Sequence, residues 1–300
     1  MGVFAPFRLK PWFSERPWGR KNLQPWYADA GTTQPVGEAW LTGPQCVVET
    51  GMFAGRALAS VAKELGGEFP LLVKLLFPAE KLSVQVHPDD AQARALGETR
   101  GKTECWYVLE AEPGATVALG LKSGSDAAAV RAAIVDGTME DLLERVPVSV
   151  GDMLFVDAGT VHAIGPGVVL LETQQTSDVT YRLYDYGRPR ELHLDKGLQV
   201  MKAKTEAGKV APKKMDGFTR LIERKYFVVD RFDLGNAAKA GVSFSGPGCV
   251  VGLTGSGVIC ADGGEAVLRP GQAVIVPMGS ERVVVDTEKG VSFLRCVAPA

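Results

Sequence analysis

The chain has 300 residues, 46% hydrophobic and 23% charged, with a formal net charge of -2. These are the proportions of a folded globular protein, and they give no electrostatic reason to bind nucleic acid or an anionic membrane. No apolar run approaches the roughly 18 residues of a spanning helix, and five scattered cysteines, never in a CxxC pair, point to reduced thiols in a cytoplasm.

In chain order, the opening MGVFAPFRLKPWFSERPWGRKN carries charges and prolines where a secretory signal needs an unbroken apolar core. Trp12, Trp18 and Trp26 read as anchors of a long N-terminal segment rather than as a sugar-stacking platform. Short apolar runs bounded by Gly, Pro or Asp predict strands over Pro70–Leu76, Leu82–Val86, Trp106–Leu109, Met153–Val156 and Val168–Leu171. Helical pattern is confined to a few places. One is a short helix after Pro88, with Asp89 and Asp90 near its positive end. An Ala-rich stretch capped by Ser125 ends at Gly137, and a Thr138/Asp141 capping box opens MEDLLERV. Lys202–Lys214, Lys-rich and apolar-poor, reads as a linker. Beyond it, strands are predicted at Val250–Leu253, Val258–Cys260, Ala273–Val276 and Val283–Val285.

A faint repeat organises these strands. Gly151-DMLFV-Asp157-Ala-Gly159-Thr-Val-His162 matches Gly271-QAVIV-Pro277-Met-Gly279-Ser-Glu-Arg282 in register. Each copy describes a turn glycine, a buried strand, a tight turn and a return strand. The reading is two related antiparallel β-barrels. Arg282 stands where the first copy has His162, so only the first could hold a metal through imidazole.

The histidines are His87, His162 and His193. On a strand, Ser83, Gln85 and His87 share one face while Leu82, Val84 and Val86 share the other, as expected for the wall of a polar cavity. Lys102 and Glu104 again lie on one face, and His162 enters from the hairpin. Two imidazoles, a carboxylate and an amide oxygen form an N2O2 set suited to zinc, with iron, manganese and cobalt also compatible. Cys105, beside Glu104, faces the core, and His193 packs or caps.

The strings Ser83-Val-Gln85-Val-His87-Pro-Asp-Asp90, Gly101-Lys102-Thr-Glu104-Cys-Trp-Tyr107, His162-Ala163 and Ser177-Asp178-x-x-Tyr-Arg182-Leu-Tyr-Asp185 resemble type I phosphomannose isomerases. The likeness covers about residues 15–200 and extends to a poorer C-terminal unit. It implies a mainly β protein of two cupin-type, jelly-roll barrels with a few short helices. The catalytic unit would span 1–200 with a short helical insertion, and a degenerate unit without metal ligands 216–300. It also implies a zinc-dependent isomerase that interconverts mannose 6-phosphate and fructose 6-phosphate through an enediolate.

By this resemblance one Zn2+ falls on Gln85, His87, Glu104 and His162, and the catalytic arginine on Arg182. Ser83, Lys102, Glu172 and Asp178 match further active-site positions, with Ser83, Lys102 and Arg182 contacting substrate. The family's second-motif proline is Asp157 here, and its W-G-G string reads Trp18-Gly19-Arg20. A metal on neutral ligands and one Glu keeps positive charge and acts as a Lewis acid, while Lys102 and Arg182 add fixed positive charge. The proton-transferring base lies among Glu172, Asp178 and Lys102, with Glu172 preferred. In the empty enzyme Glu172 or Asp178 would partner Arg182, which is expected to serve the reaction rather than the fold.

Two other classes compete. An iron- or manganese-dependent oxygenase or decarboxylase of the same fold expects a third His where Gln85 stands. A non-catalytic or differently specific sugar-phosphate-binding paralogue need not keep all four ligands with Lys102 and Arg182. The expected partner is a small phosphosugar, with no nucleic acid or membrane, and the chain is expected as a monomer or weak homo-oligomer.

Overall fold

Strands Leu71–Leu76 and Val168–Gln175 are buried at every position, which a strand tolerates only inside a layered structure. In this computed structural model, which describes residues 4–28, 30–261 and 263–299, both lie at the centre of a seven-stranded antiparallel sheet. Its order is Gly208–Val210, Met153–Val156, Glu104–Ala111, Val168–Gln175, Leu71–Leu76, Val36–Trp40 and Trp12–Arg20. A five-stranded sheet faces it, ordered Tyr181–Tyr184, Val84–Val86, His162–Ile164, Thr116–Leu121 and Leu143–Pro147. A ten-stranded sheet covers its other side, built around the 14-residue strands Val228–Gly241 and Val284–Val297, which pair from end to end.

Strand alternation distributes side chains between the layers. Trp106 and Val108 join Leu154, Leu170, Val117 and Ile164 in the core shared with the five-stranded sheet. Cys105 and Tyr107 point the other way, into a core with Phe155, Leu171, Ile275 and Leu294. The outer face of the five-stranded sheet is covered by helices Ala127–Asp136 and Leu194–Val200, whose Val130, Ile134 and Val200 pack on Val84, Val86 and Leu183.

The predicted strands are present, several extended at their ends. The barrels are not. None of the three sheets closes: Gly208–Val210 and Trp12–Arg20 at the ends of one, and Tyr181–Tyr184 and Leu143–Pro147 at the ends of another, do not pair with each other. Side-chain packing between faces, not a continuous ladder, joins the layers.

The division into 1–200, a linker and 216–300 is also crossed by strand pairing. Phe7–Lys10 pairs with Ala273–Val276 and Val47–Val48 in the ten-stranded sheet. Gly208–Val210, inside the expected linker, extends the seven-stranded sheet by pairing with Met153–Phe155. Each segment covers a sheet edge whose N–H and C=O groups would otherwise lack partners.

Asp89 caps helix Asp90–Ala95 in a full capping box with Gln92. The next helix is capped by Asp126, not Ser125, and ends at Gly137 with φ 72°. Met139–Leu142 forms only a 3-10 turn with no side-chain cap from Thr138, because the chain then enters the sheet through Leu143, paired with Leu121. The repeat is real as far as its second turn. Gly151 and Gly271 have φ of 92° and 71°, Gly159 and Gly279 of 92° and 81°, and each pair brackets a four-residue buried strand.

Candidate metal centre and active site

Three strands of the five-stranded sheet bring His162, Gln85 and Arg182 into one row, since Gln85 is the cross-strand partner of His162 on one side and Arg182 on the other. Directly opposed residues share a face. In the seven-stranded sheet Lys74, Glu172 and Trp106 form a second row in the same way. A cavity of about 400 Å³ opens between the sheets, lined among others by Ser83, Gln85, Lys102, Glu172, Asp178 and Arg182.

Two buried imidazoles converge on Glu104. His87 Nδ1 lies 2.8 Å from the Val179 carbonyl and His162 Nδ1 2.9 Å from that of Thr160. A carbonyl only accepts, so both Nδ1 atoms carry the proton and both Nε2 atoms are acceptors, that of His87 with Lys102 Nζ 3.3 Å away. These Nε2 atoms stand 3.7 and 3.5 Å from the two Glu104 oxygens. Burial drives both imidazoles toward neutrality, His162 to about 4 and His87 well below its ordinary value. The potential ligand atoms of His87, Glu104 and His162 all lie within 4.8 Å of one another. Gln85 Nε2 is 3.2 Å from His162 Nε2 with Gln85 Oε1 turned to Ser83 Oγ, and a half-turn of the amide exchanges the two.

The donor set fits a divalent metal. Glu104 Oε2 is fully buried without a hydrogen bond, although Lys102 Nζ lies 2.9 Å away. Lys102 offsets part of the desolvation cost of that buried carboxylate, and a metal ion between Glu104 and the two imidazoles would offset more. The other oxygen, Oε1, shares a single donor with Glu172: Trp106 Nε1 is 3.1 Å from both.

The remaining expected residues are also brought together, but their partners differ from expectation. Lys74 Nζ, not Arg182, holds Asp178 at 3.0 Å and Glu172 at 3.6 Å, and lies 4.4 Å from the Trp40 ring centroid. Burial alone would raise the Asp178 carboxyl, but Lys74 and Lys102 outweigh it and hold it below the usual range. Glu172 moves upward, chiefly by burial and then by the Glu104 charge. Burial pulls the Lys102 ammonium down, but Glu104, Glu172 and Asp178 overcome this and raise it, opposite to the depression its use as a base requires. Arg182 donates from Nη1 to the Glu191 carbonyl at 2.8 Å, while its buried Nε has no partner.

Several cavity residues escaped the sequence reading: Arg16, Glu38, Lys74 and Arg190. Lys74 had a usable signal, because a lysine inside the apolar run PLLVKLL must either be paired or be expelled. Trp18 is buried and lines the cavity, whereas Trp26 anchors its segment through Glu110 and Trp12 stacks edge-on against Trp40. Cys105 is buried in the core on the other face, as expected.

Comparisons with known proteins converge on one family. Residues 7–120 match the model of the phosphomannose isomerase type I catalytic domain. Mannose-6-phosphate isomerase ManA of Bacillus subtilis is 39% identical over 260 residues, 78% of this chain and 81% of the relative. A mannose-6-phosphate isomerase of Streptococcus mutans is 34% identical over 294 residues, 91% of this chain and 92% of the relative. The crystal structure of the mannose 6-phosphate isomerase from Bacillus subtilis superposes with a TM-score of 0.87 at 30% identity, covering 97% of this chain and 99% of that one. With relatives this similar over most of both chains, the chain belongs to the type I phosphomannose isomerases and is an enzyme of the mannose-6-phosphate isomerase family.

Proposed function

We propose that the enzyme binds one Zn2+ through Gln85, His87, Glu104 and His162 and interconverts mannose 6-phosphate and fructose 6-phosphate through an enediolate. The observation that carries this reading is the convergence of two imidazole Nε2 atoms on the buried Glu104 carboxylate, next to Gln85 and Lys102, which line a polar cavity. When bound, the metal supplies Lewis-acid polarisation of the substrate oxygens.

The chain's own residues do the rest. Glu172, buried and lining the cavity, takes the proton from C2 of the aldose and returns it to C1, while the O2 hydroxyl proton passes to O1 across the enediolate. Its orientation is held by the Trp106 indole on one oxygen and the Lys74 ammonium near the other. Lys102 and Arg182 hold positive charge toward the enediolate and the dianionic phosphate, Arg182 as a planar fork and Lys102 as a point charge. Ser83 and the ionised Asp178 bond sugar hydroxyls at the cavity wall.

Dialysis against a chelator is expected to abolish turnover of mannose 6-phosphate in a coupled assay, and Zn2+ to restore it. His162→Ala is expected to lose the tightly held metal. Full turnover by a protein that elemental analysis shows to be metal-free would overturn the reading.

A further inference from the structure

Arg182 sits on Tyr181–Tyr184, the edge strand of the five-stranded sheet, and the ladder to Val84–Val86 slips between Arg182 and Tyr184. An edge strand next to a bulge has little of its own to fix a side-chain direction. Its outer side is held by a short segment instead. The His193 N–H donates to the Arg182 carbonyl at 2.7 Å. The Arg182 N–H donates to Nδ1 of the His193 imidazole at 3.2 Å, and the Glu191 carbonyl accepts from Arg182 Nη1 at 2.8 Å. The segment has a firm base, because His193 leads into helix Leu194–Val200. That helix packs so tightly that a Cβ on Gly197 would come within 2.5 Å of the Leu183 side chain.

We infer that His193 is a positioning residue for the isomerisation: its imidazole stands in for the missing neighbouring strand, and by accepting the Arg182 amide it keeps the guanidinium facing the cavity. This rests on the reading that Arg182 serves the reaction. The contact requires one tautomer, with the proton on Nε2. A protonated imidazole would set N–H against N–H and release the strand. The groups facing His193 are the Glu191 carboxylate 3.9 Å from Nε2, the Tyr181 ring with a centroid separation of 6.2 Å, the Arg182 guanidinium and the Lys196 ammonium. Burial, with help from Arg182 and Lys196, outweighs Glu191 and keeps the ring neutral to lower pH than usual.

The test compares His193→Asn and His193→Leu in the metal-loaded enzyme, with Arg182→Lys alongside. The asparagine amide oxygen falls near the position of Nδ1 and accepts a hydrogen bond at any pH of interest, whereas leucine cannot accept. Expected are a roughly tenfold lower kcat for His193→Leu with KM and metal content little changed, and near-full kcat for His193→Asn. As pH falls below the ordinary imidazole range and His193 takes up a proton, the ratio of kcat in His193→Asn to that in the parent enzyme should rise. Hydrogen exchange at the Arg182 amide should be fast in His193→Leu and slow in the other two. A normal kcat in His193→Leu, an equal loss in both variants, or a ratio that stays flat with pH would each overturn the inference. Arg182→Lys is expected to lose about 100-fold in kcat. If it does while His193→Leu is fully active, only the inference about His193 fails. If Arg182→Lys itself is fully active, the reading of Arg182 falls and takes the inference with it.

Discussion

The space between the five- and seven-stranded sheets and the interior of the ten-stranded sheet are built from matching hairpins, yet they treat buried charge in opposite ways. In the first, two carboxylates, Glu104 and Glu172, divide one indole N–H, and a Glu104 oxygen is left without a hydrogen bond. In the second, a single buried carboxylate among the described residues, Asp230, receives two guanidiniums, Arg220 and Arg295. Around that pair the interior is apolar: Phe232 and Phe293 stack at 4.9 Å, with Phe218 stacked on Phe232 at 5.2 Å. An interior that sets a buried carboxylate against two imidazole Nε2 atoms, even with Lys102 beside it and Lys74 on Glu172, can still take a cation. One whose carboxylate is already saturated only holds itself together. The difference between a reactive half and a structural half lies in this balance rather than in the strand framework.

The sharpest way to break the comparison is to remove one negative charge from each half without changing volume. Glu104→Gln takes away the anionic ligand, so metal content should fall and turnover drop by on the order of 1000-fold or more. The metal-free form should melt close to metal-free parent protein, because loss of the Lys102 ion pair is offset by relief of the repulsion between Glu104 and Glu172. Metal analysis and a coupled assay check the first part, and calorimetry of the metal-free forms the second. Asp230→Asn strands two guanidiniums instead. It should cost about 3 kcal/mol in urea unfolding, while metal content and kcat per folded molecule stay those of the parent enzyme. A loss of kcat in Asp230→Asn, or of metal-free stability in Glu104→Gln, would mean that the two halves are not separable in this way.

How much of this was open to a reader of the sequence follows from how local each signal is. The cluster of His87, Glu104 and His162 was legible because the Ser83/Gln85/His87 alternation and the Lys102/Glu104 pair announce a polar strand face within a few residues, and the family strings fall on the same positions. The helix after Pro88 was legible from Asp89 and Asp90 at its positive end, the first of which is its cap. Lys74 was legible only as a charge in need of a partner, because its partners Glu172 and Asp178 are about a hundred residues away in sequence and adjacent only after the strands pair. The exchange of Phe7–Lys10 and Gly208–Val210 between halves was hidden for the same reason, since nothing within a short strand names the edge it will cover. The turn at Met139–Leu142 misled because a sound local helix start lost to the pairing of Leu143 with Leu121.

The smallest expected effect tests the repeat at its last position. The sequence match sets Arg282 against His162, which suggests a metal site lost by one substitution. The backbone says otherwise. His162 opens a strand and is registered with Gln85 and Leu119, so its ring is aimed by the sheet. Arg282 has φ 52°, outside any strand, and the return strand begins only at Val284. The two hairpins therefore part company after the second glycine, and equal spacing along the chain does not mean equal direction in space. No group of three or more His, Cys, Asp or Glu placed to hold a metal ion occurs near Arg282 among the described residues. Histidine tolerates positive φ better than most residues. Arg282→His should accordingly leave unfolding free energy within about 0.5 kcal/mol of the parent and leave metal at one ion per chain in elemental analysis. A second tightly held ion in this variant would show that the hairpins superpose to their ends and that the C-terminal half is a disarmed metal site. A single ion would leave it as a half whose interior was built for packing alone.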